Sequence, residues 1–90
     1  MLTQHTQIIN ASGLHARPAS DFVSKAKGFQ CAITVRNLDN GHAAVNAKSI
    51  LRVLSEAMPK GTHIELTTDG EDENAAMEAL LALISSGFGE

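Results

Sequence analysis

The most informative stretch of this 90-residue sequence reads Gly13-Leu14-His15-Ala16-Arg17-Pro18-Ala19. From Ala16 to about Gly28 the apolar residues recur at the spacing of one helix face, so the stretch leads from a loop into a helix. A proline in the first turn of a helix costs no hydrogen bond and fixes one backbone angle. The sequence therefore predicts that His15 stands between a loop and a stiff helix start.

A histidine at such a junction has neighbours that suit an anion. The first turn of a helix presents unpaired amides and a partial positive charge, so Ala16, Arg17 and Pro18 form a predicted phosphate-binding helix start. Arg17 adds a guanidinium that can hold phosphate oxygens in bidentate fashion. A neutral imidazole is a nucleophile, so His15 and Arg17 together can form and hold a phosphohistidine. The residues alone leave open that His15 helps to cap the helix and that Arg17 is a surface charge.

Segments with alternating apolar residues indicate strands elsewhere in the chain. Ile33 and Val35 share one strand face, and the turn Asp39-Asn40-Gly41 leads to a shorter run that completes a hairpin. The predicted strands cover residues 2–9, 32–36, 42–46 and 63–68.

Two further helices are predicted after the hairpin. The hydroxyl of Ser49 suits a helix cap, so a brief helix follows it and ends before Pro59. The last helix runs from about Asp72 to Ser86, with acidic residues at its start where the helix dipole favours them. Its buried stripe is predicted to contain Ala76, Leu80, Leu83 and Ile84.

The order β-α-β-β-α-β-α of these segments indicates an α+β fold. Four short strands imply a mixed or antiparallel sheet that is covered by helices on one face and open on the other. A chain of this length builds one modest core, so residues 1–90 are expected to form a single domain.

Composition excludes several classes of protein. No apolar run approaches the roughly 18 residues needed to cross a bilayer, and no signal peptide is recognisable, so we expect no membrane insertion and a cytoplasmic location. The single Cys31 cannot form an internal disulfide, which suits a reducing compartment. The four histidines are scattered without ligand spacing, so neither a metal site nor a cofactor is expected.

The charges are divided unevenly along the chain. Residues 1–60 hold seven basic and three acidic side chains, whereas residues 61–90 hold seven acidic side chains and no basic one. A basic region on an acidic protein suits a small anion or an acidic protein partner. The acidic total and the lack of Trp and Tyr argue against a nucleic-acid partner, because no stacking platform is available.

The stretch 13–19 resembles the active-site motif of the HPr family, the histidine phosphocarrier proteins of the bacterial phosphoenolpyruvate-dependent phosphotransferase system. The resemblance extends over essentially the whole chain. It includes the segments Phe22-Val23, Ala26-Lys27-Gly28-Phe29, Ala47-Lys48-Ser49, Lys60-Gly61-Thr62 and Gly70-Glu71-Asp72-Glu73. The resemblance implies an open-faced β-sandwich with a four-stranded antiparallel sheet covered on one face by three helices.

The same resemblance implies a role in a phosphotransfer relay. His15 would be phosphorylated on Nδ1 by enzyme I at the expense of phosphoenolpyruvate, and would pass the group to the A domain of a sugar-specific enzyme II. Arg17 would neutralise the phosphate. Such a protein is a carrier and not an independent enzyme, and nothing in the sequence suggests more than a monomer.

A regulatory paralogue of the fructose or nitrogen branch, signalling through its phosphorylation state, is the alternative within the family. The hairpin segment 36–42 is about three residues longer than in the commonest members, as in those variants. Ser24 also replaces a lysine that is frequent in the family. The sugar, the acceptor and the organism stay open at this point.

A carrier that docks briefly to two partners requires an apolar patch ringed by basic residues. Leu51 falls off the buried stripe of its short helix and is the preferred exposed contact, whereas Ile50 and Leu54 are equally compatible with the core. The predicted partner-binding residues are Lys25, Lys27, Ile50, Leu51, Arg52 and Leu54.

Ser49 aligns with the serine that HPr kinase modifies in many Gram-positive members of the family. A phosphate there would disturb the predicted docking patch, which is how such a switch could operate. However, Arg52 stands where kinase-regulated members usually carry a small residue. A regulatory phosphosite and a simple helix cap therefore both stay open for Ser49.

Overall fold

The structure is a computed structural model that describes residues 1–90. Its elements follow the order β-α-β-β-α-β-α, as the sequence predicts. They are β1 (Leu2–Gln7), α1 (Ala16–Lys27), β2 (Ala32–Asn37), β3 (Val45–Asn46), α2 (Ile50–Ser55), β4 (His63–Asp69) and α3 (Glu73–Ser85), followed by a short 3₁₀ turn at Gly87–Gly89. No helix has both the length and the apolar character required to span a membrane.

The four strands form one antiparallel sheet in the order β1-β4-β2-β3. Along β4 every second side chain is buried, namely Ile64, Leu66 and Thr68, because successive strand residues point to opposite faces. The alternate side chains, among them Glu65 and Thr67, lie on the face away from the core. The sheet is therefore covered on one side only, which confirms the α+β open-faced sandwich.

A single cluster of 19 buried apolar residues fills the space between sheet and helices. On α3 the predicted buried stripe is confirmed at Ala76, Leu80 and Ile84. Leu83 is only partly buried and Met77 is buried instead. The stripe is thus turned slightly from the predicted one, so that Leu83 lies at its edge.

Two strands are shorter than the sequence predicts. β1 ends at Gln7, after which Ile8 enters the core and exchanges backbone hydrogen bonds of 2.9 and 2.7 Å with Thr62 and Gly61. The second hairpin strand contains only Val45 and Asn46. The preceding residues are held in turns because asparagine side chains accept hydrogen bonds from backbone amides two residues ahead.

The two short turns also direct His42 toward a buried carboxylate. His42 Nδ1 lies 3.4 Å from Glu56 Oε1, and the Glu56 side chain is almost entirely buried. The backbone carbonyl of Glu56 accepts a hydrogen bond of 3.3 Å from Asn37. These contacts fasten the long hairpin turn to the end of α2.

Ser49 caps α2 as its hydroxyl type suggests. Its Oγ accepts a hydrogen bond of 3.4 Å from the backbone amide of Arg52. Ser49 has extended backbone angles, as an N-cap residue requires. The cap fixes the start of the helix that carries Ile50, Leu51 and Leu54.

Candidate functional site

His15 lies at the start of α1 and its side chain is exposed. Its backbone is extended, and its side chain makes no capping hydrogen bond. The next residue, Ala16, has a φ of +52°, a left-handed conformation that alanine rarely adopts. Such a residue stores about 1 to 3 kcal/mol of strain and persists only where the surrounding structure holds it. The surrounding structure therefore holds the turn between His15 and the body of α1 in this conformation.

The loop before His15 is held by the segment that follows α2. Leu14 donates a backbone hydrogen bond of 2.8 Å to the carbonyl of Met58. Gly13 has a φ of +69°, and a Cβ at this position would come within 2.7 Å of the Met58 carbonyl oxygen. Only glycine permits this approach without displacement of the backbone.

Together these two segments enclose a concavity of about 320 Å³ beside the imidazole, lined by Ser12, Leu14, His15, Ala57, Met58 and Pro59. No motif in the sequence marks the segment 57–59 as part of a site. Its contribution depends on a contact between distant parts of the chain. The left-handed backbone of Ala57, with a φ of +48°, is also not predictable from an alanine in the sequence.

Arg17 and Pro18 have different environments although they are adjacent. Pro18 is buried against the core, which anchors the first turn of α1. The Arg17 side chain is 74% exposed, and its Nε lies 3.9 Å from a carboxylate oxygen of Asp21 one turn later. The guanidinium is thus exposed and loosely held near the helix start.

The carboxylate of Glu90, which no sequence motif marks, also reaches this region. Glu90 Oε1 accepts hydrogen bonds from the Ser12 amide at 3.2 Å and from Asn10 Nδ2 at 2.9 Å. The hydroxyl of Ser12 donates to the same carboxylate at 2.6 to 2.7 Å. The Ser12 hydroxyl, then Asn10, hold the pKa of Glu90 below its usual value, and the positive charge of Arg17 adds to this effect.

The two helices that carry the predicted partner-binding residues, α1 and α2, pack against each other. Leu51 is 78% exposed, and Ile50 and Leu54 are each 36% exposed. Val53 is the residue of α2 that enters the core. The three apolar side chains Ile50, Leu51 and Leu54 therefore form an accessible surface, called the α2 patch below.

The basic residues lie at different distances from His15. Lys25 and Lys27 are exposed in the last turn of α1, whereas His15 precedes its first turn. A helix of 12 residues is about 18 Å long, so these lysines lie at the far end of α1 from the imidazole. Arg52 is exposed on α2 beside Leu51.

The family model described as "PTS HPr component phosphorylation site" matches residues 2–86 of the chain. The chain belongs to the HPr family. HPr proteins are phosphocarriers of the phosphotransferase system, and this chain is one of them.

Curated and solved HPr proteins resemble the chain over its whole length. "Phosphocarrier protein HPr" of Neisseria meningitidis serogroup B is 47% identical over 90 residues, which cover 100% of this chain and 98% of that protein. The crystal structure of HPr from Thermoanaerobacter tengcongensis superposes with a TM-score of 0.94 at 41% identity, covering 100% of this chain and 98% of that one. The fold expected for an HPr protein is therefore confirmed.

A third relative contains an HPr-like segment within a longer chain. The "Multiphosphoryl transfer protein" of Vibrio cholerae is 40% identical over 84 residues, which are 93% of this chain and 21% of that protein. The HPr relatives carry the name of a phosphocarrier, which does not favour the regulatory paralogue.

Proposed function

We propose that this chain accepts a phosphoryl group from enzyme I, itself charged by phosphoenolpyruvate, on Nδ1 of His15 and passes it to the A domain of a sugar-specific enzyme II. The observation that carries the proposal is the exposed imidazole of His15, which no capping hydrogen bond engages, at the start of α1. A nucleophile in this position is accessible to a large partner on both the donor and the acceptor side.

The transfer needs no proton movement at the reacting nitrogen. The unprotonated Nδ1 of a neutral imidazole forms the new P–N bond with its lone pair, while the bond to the donor breaks and its electron pair returns to the donor. Reversal of the same step on an enzyme II returns the lone pair to His15. The chain is thus a covalent intermediate in a relay and not an independent enzyme.

The residues that follow His15 stabilise the added charge. Arg17 donates to the phosphoryl oxygens, and its loose contact with Asp21 costs little to exchange because exposed ion pairs contribute only about 0 to 1 kcal/mol. The unpaired amides at the start of α1 add a partial positive charge. Pro18 anchors this turn in the core.

The α2 patch supplies the apolar part of the docking surface for both partners. Leu51 is its most exposed member, with Ile50 and Leu54 beside it. Arg52 contributes a positive rim next to the patch, and Lys25 and Lys27 extend that rim at the end of α1. We further infer that the chain acts as a single HPr domain over residues 1–90, as a monomer, in the cytoplasm.

The test is phosphorylation of the purified chain. Incubation with enzyme I, Mg²⁺ and phosphoenolpyruvate, followed by intact-mass measurement at alkaline pH, should add one acid-labile phosphate to the wild type and none to His15→Ala. The loaded protein should then lose its phosphate to an enzyme II A domain. Absence of phosphate on the wild type with a competent enzyme I would reject this route.

Ser49 needs a separate experiment, because its hydroxyl already caps α2. Incubation with HPr kinase and ATP decides between the two roles. One phosphate on the wild type and none on Ser49→Ala would make Ser49 a regulatory phosphosite, whereas no added phosphate would leave it as a helix cap.

A further inference from the structure

Glu56, at the end of α2, is the only charged residue of the chain that is buried, with a side chain 8% exposed. Its Oε1 is buried and receives no hydrogen bond. A buried carboxylate is costly unless an opposite charge lies beside it, because the interior solvates a charge poorly. The phosphoryl transfer proposed for His15 makes no use of this carboxylate. Glu56 therefore depends on the counter-charge that the fold brings to it.

The counter-charge is His42, in the long turn of the hairpin. Its Nδ1 lies 3.4 Å from Glu56 Oε1, and its side chain is 62% exposed. Because no hydrogen bond joins the two side chains, their attraction depends on the charge of the imidazole. Histidine is the side chain whose charge changes between about pH 5 and 8. The attraction is therefore present at the acidic end of this range and is lost as the pH rises through it.

No other charged side chain forms an ion pair with either partner. Asp39, in the same turn, pairs instead with His63 at 3.2 Å. Arg52, one turn earlier on α2, and Lys60, four residues after Glu56, form no ion pair. The charge of the imidazole therefore decides whether the buried carboxylate is paired.

Glu56 leads directly into the wall of the concavity beside His15. Its backbone carbonyl accepts a hydrogen bond of 3.3 Å from Asn37, the last residue of β2. Ala57 then has a left-handed φ of +48°, and Met58 lines the concavity. The carbonyl of Met58 in turn holds the loop that carries His15. A shift of the Glu56 side chain toward water therefore acts on a strained turn next to this wall.

We propose that His42 and Glu56 are positioning residues, whose ion pair fixes the segment 57–59 as the wall beside His15. Loss of the imidazole proton leaves the carboxylate unpaired and loosens this wall, so that docking of a partner over His15 depends on pH. The inference rests on the proposed function, in which enzyme I docks on this surface. It also gives the long hairpin turn a role, since that turn carries His42.

The first test uses methionine labelled with ¹³C in its methyl group. Met58 reports on the wall, and Met77, buried on α3, is an internal reference. Wild type, His42→Gln, Glu56→Gln and His63→Gln are each titrated by NMR from about pH 5 to about pH 8.5, which spans the range of an imidazole. His63→Gln is the matched control, because it removes an exposed imidazole that pairs with an exposed carboxylate.

In the wild type, the Met58 methyl signal should shift with the same midpoint as the ring signals of His42. This transition should be lost in His42→Gln and in Glu56→Gln but retained in His63→Gln. The Met77 signal should stay in place in all four proteins. Any effect of the nucleophile on the Met58 signal is common to the four proteins, so the differences between them isolate the pair.

The second readout is the KM for the chain in phosphotransfer from enzyme I. The KM of His42→Gln should exceed that of the wild type about two- to fivefold near about pH 6 and match it near about pH 8.5, with kcat little changed. The comparison at each pH cancels the titration of enzyme I itself. The double variant His42→Gln/Glu56→Gln removes both charges and should restore the wild-type KM near about pH 6.

Identical Met58 transitions in the wild type and His42→Gln would overturn the inference, and so would equal KM values of these two proteins near about pH 6. Failure of the relay is a different result. A chain that enzyme I does not phosphorylate would reject the proposed function. The methyl titration uses no enzyme, so it would still decide whether the pair positions the segment 57–59.

Discussion

The backbone amide of Leu14 donates a 2.8 Å hydrogen bond to the carbonyl oxygen of Met58, and this bond ties the loop that carries His15 to the segment that follows α2. The two residues also form an isolated antiparallel bridge. Because α2 carries the α2 patch, the proposed docking surface and the nucleophile belong to one connected frame. Substitutions that disrupt the contact between Leu14 and Met58 should therefore affect both the proposed docking surface and the position of His15.

Gly13→Ala should destabilise the protein more than Gly41→Ala. Both glycines have a φ near +70°, but a Cβ at position 13 would lie 2.7 Å from backbone atoms, whereas at position 41 it would meet nothing within 4 Å. We expect a loss of about 1 to 2 kcal/mol for Gly41→Ala from left-handed strain alone. Gly13→Ala should lose about 1 to 3 kcal/mol more from overpacking. Urea denaturation measures both, and equal losses would show that the approach of the two segments does not restrict position 13.

Arg17→Met should lower phosphotransfer without lowering stability. The Arg17 side chain is 74% exposed, and its contact with Asp21 is long, at 3.9 Å. Its removal should therefore change the free energy of unfolding by less than about 0.5 kcal/mol. Loss of a charge-assisted contact to phosphate should slow transfer from enzyme I by roughly tenfold or more. Arg36→Met, on the open face of the sheet, is the matched control and should retain the wild-type rate. An unchanged rate in Arg17→Met would exclude Arg17 from phosphate binding.

Leu51→Ala and Val53→Ala should separate docking from folding within α2. Leu51 is 78% exposed and Val53 is fully buried. Leu51→Ala should leave the denaturation midpoint unchanged but raise the KM for the protein partner roughly fivefold, as expected for loss of an apolar contact worth about 1 kcal/mol. Val53→Ala should cost about 1 to 3 kcal/mol of stability and leave the KM of the folded protein unaltered. A KM equal to that of the wild type in Leu51→Ala would show that Leu51 is not part of the docking surface.

Arg52→Glu tests electrostatic steering by the rim of the α2 patch. Reversal of this exposed charge should slow phosphotransfer at low ionic strength and weaken its dependence on salt, because steering acts mainly on the association rate. Stopped-flow transfer at several salt concentrations measures both effects. Rates equal to those of the wild type at low salt would refute the steering role.

Stability should fall as the solution becomes acidic, and Asp72 should account for part of this loss. The pKa of Asp72 is held below its usual value mainly by the hydrogen bond from the Gln30 amide. The native state therefore binds this proton less readily than the unfolded chain, so the stabilisation is present above the unfolded pKa of 3.8 and is lost as the pH falls through the lower native value. Asp72→Asn should be less stable at neutral pH and less sensitive to acid than the wild type. A parallel loss of stability in both proteins from about pH 5 downward would contradict this assignment.

Local patterns in the sequence were sufficient for much of the fold. The apolar spacing after Ala16 predicted α1, and the hydroxyl of Ser49 predicted the cap of α2. His15 and Arg17 stand within one helix start, so their proximity follows from adjacent sequence positions. The length of β3 was overestimated because the asparagine turns before it compete with strand pairing, which periodicity does not report.

The missing parts of the site all depend on contacts across the chain or on unusual backbone angles. Met58 reaches Leu14 and Glu90 reaches Ser12 only after folding, so neither has a local signature. The left-handed φ of Ala16 occurs at a residue type that gives no hint of it. The surrounding structure, and not local preference, imposes these features.

The bridge between Leu14 and Met58 makes the site depend on the folding of the whole domain. The two segments are far apart in the sequence, and closing a long loop costs entropy that only the assembled core repays. A misfolded copy would still contain the motif around His15 but would lack the wall that Met58 provides. A partner that recognises the assembled surface would therefore bind correctly folded copies and not misfolded ones that contain the same motif.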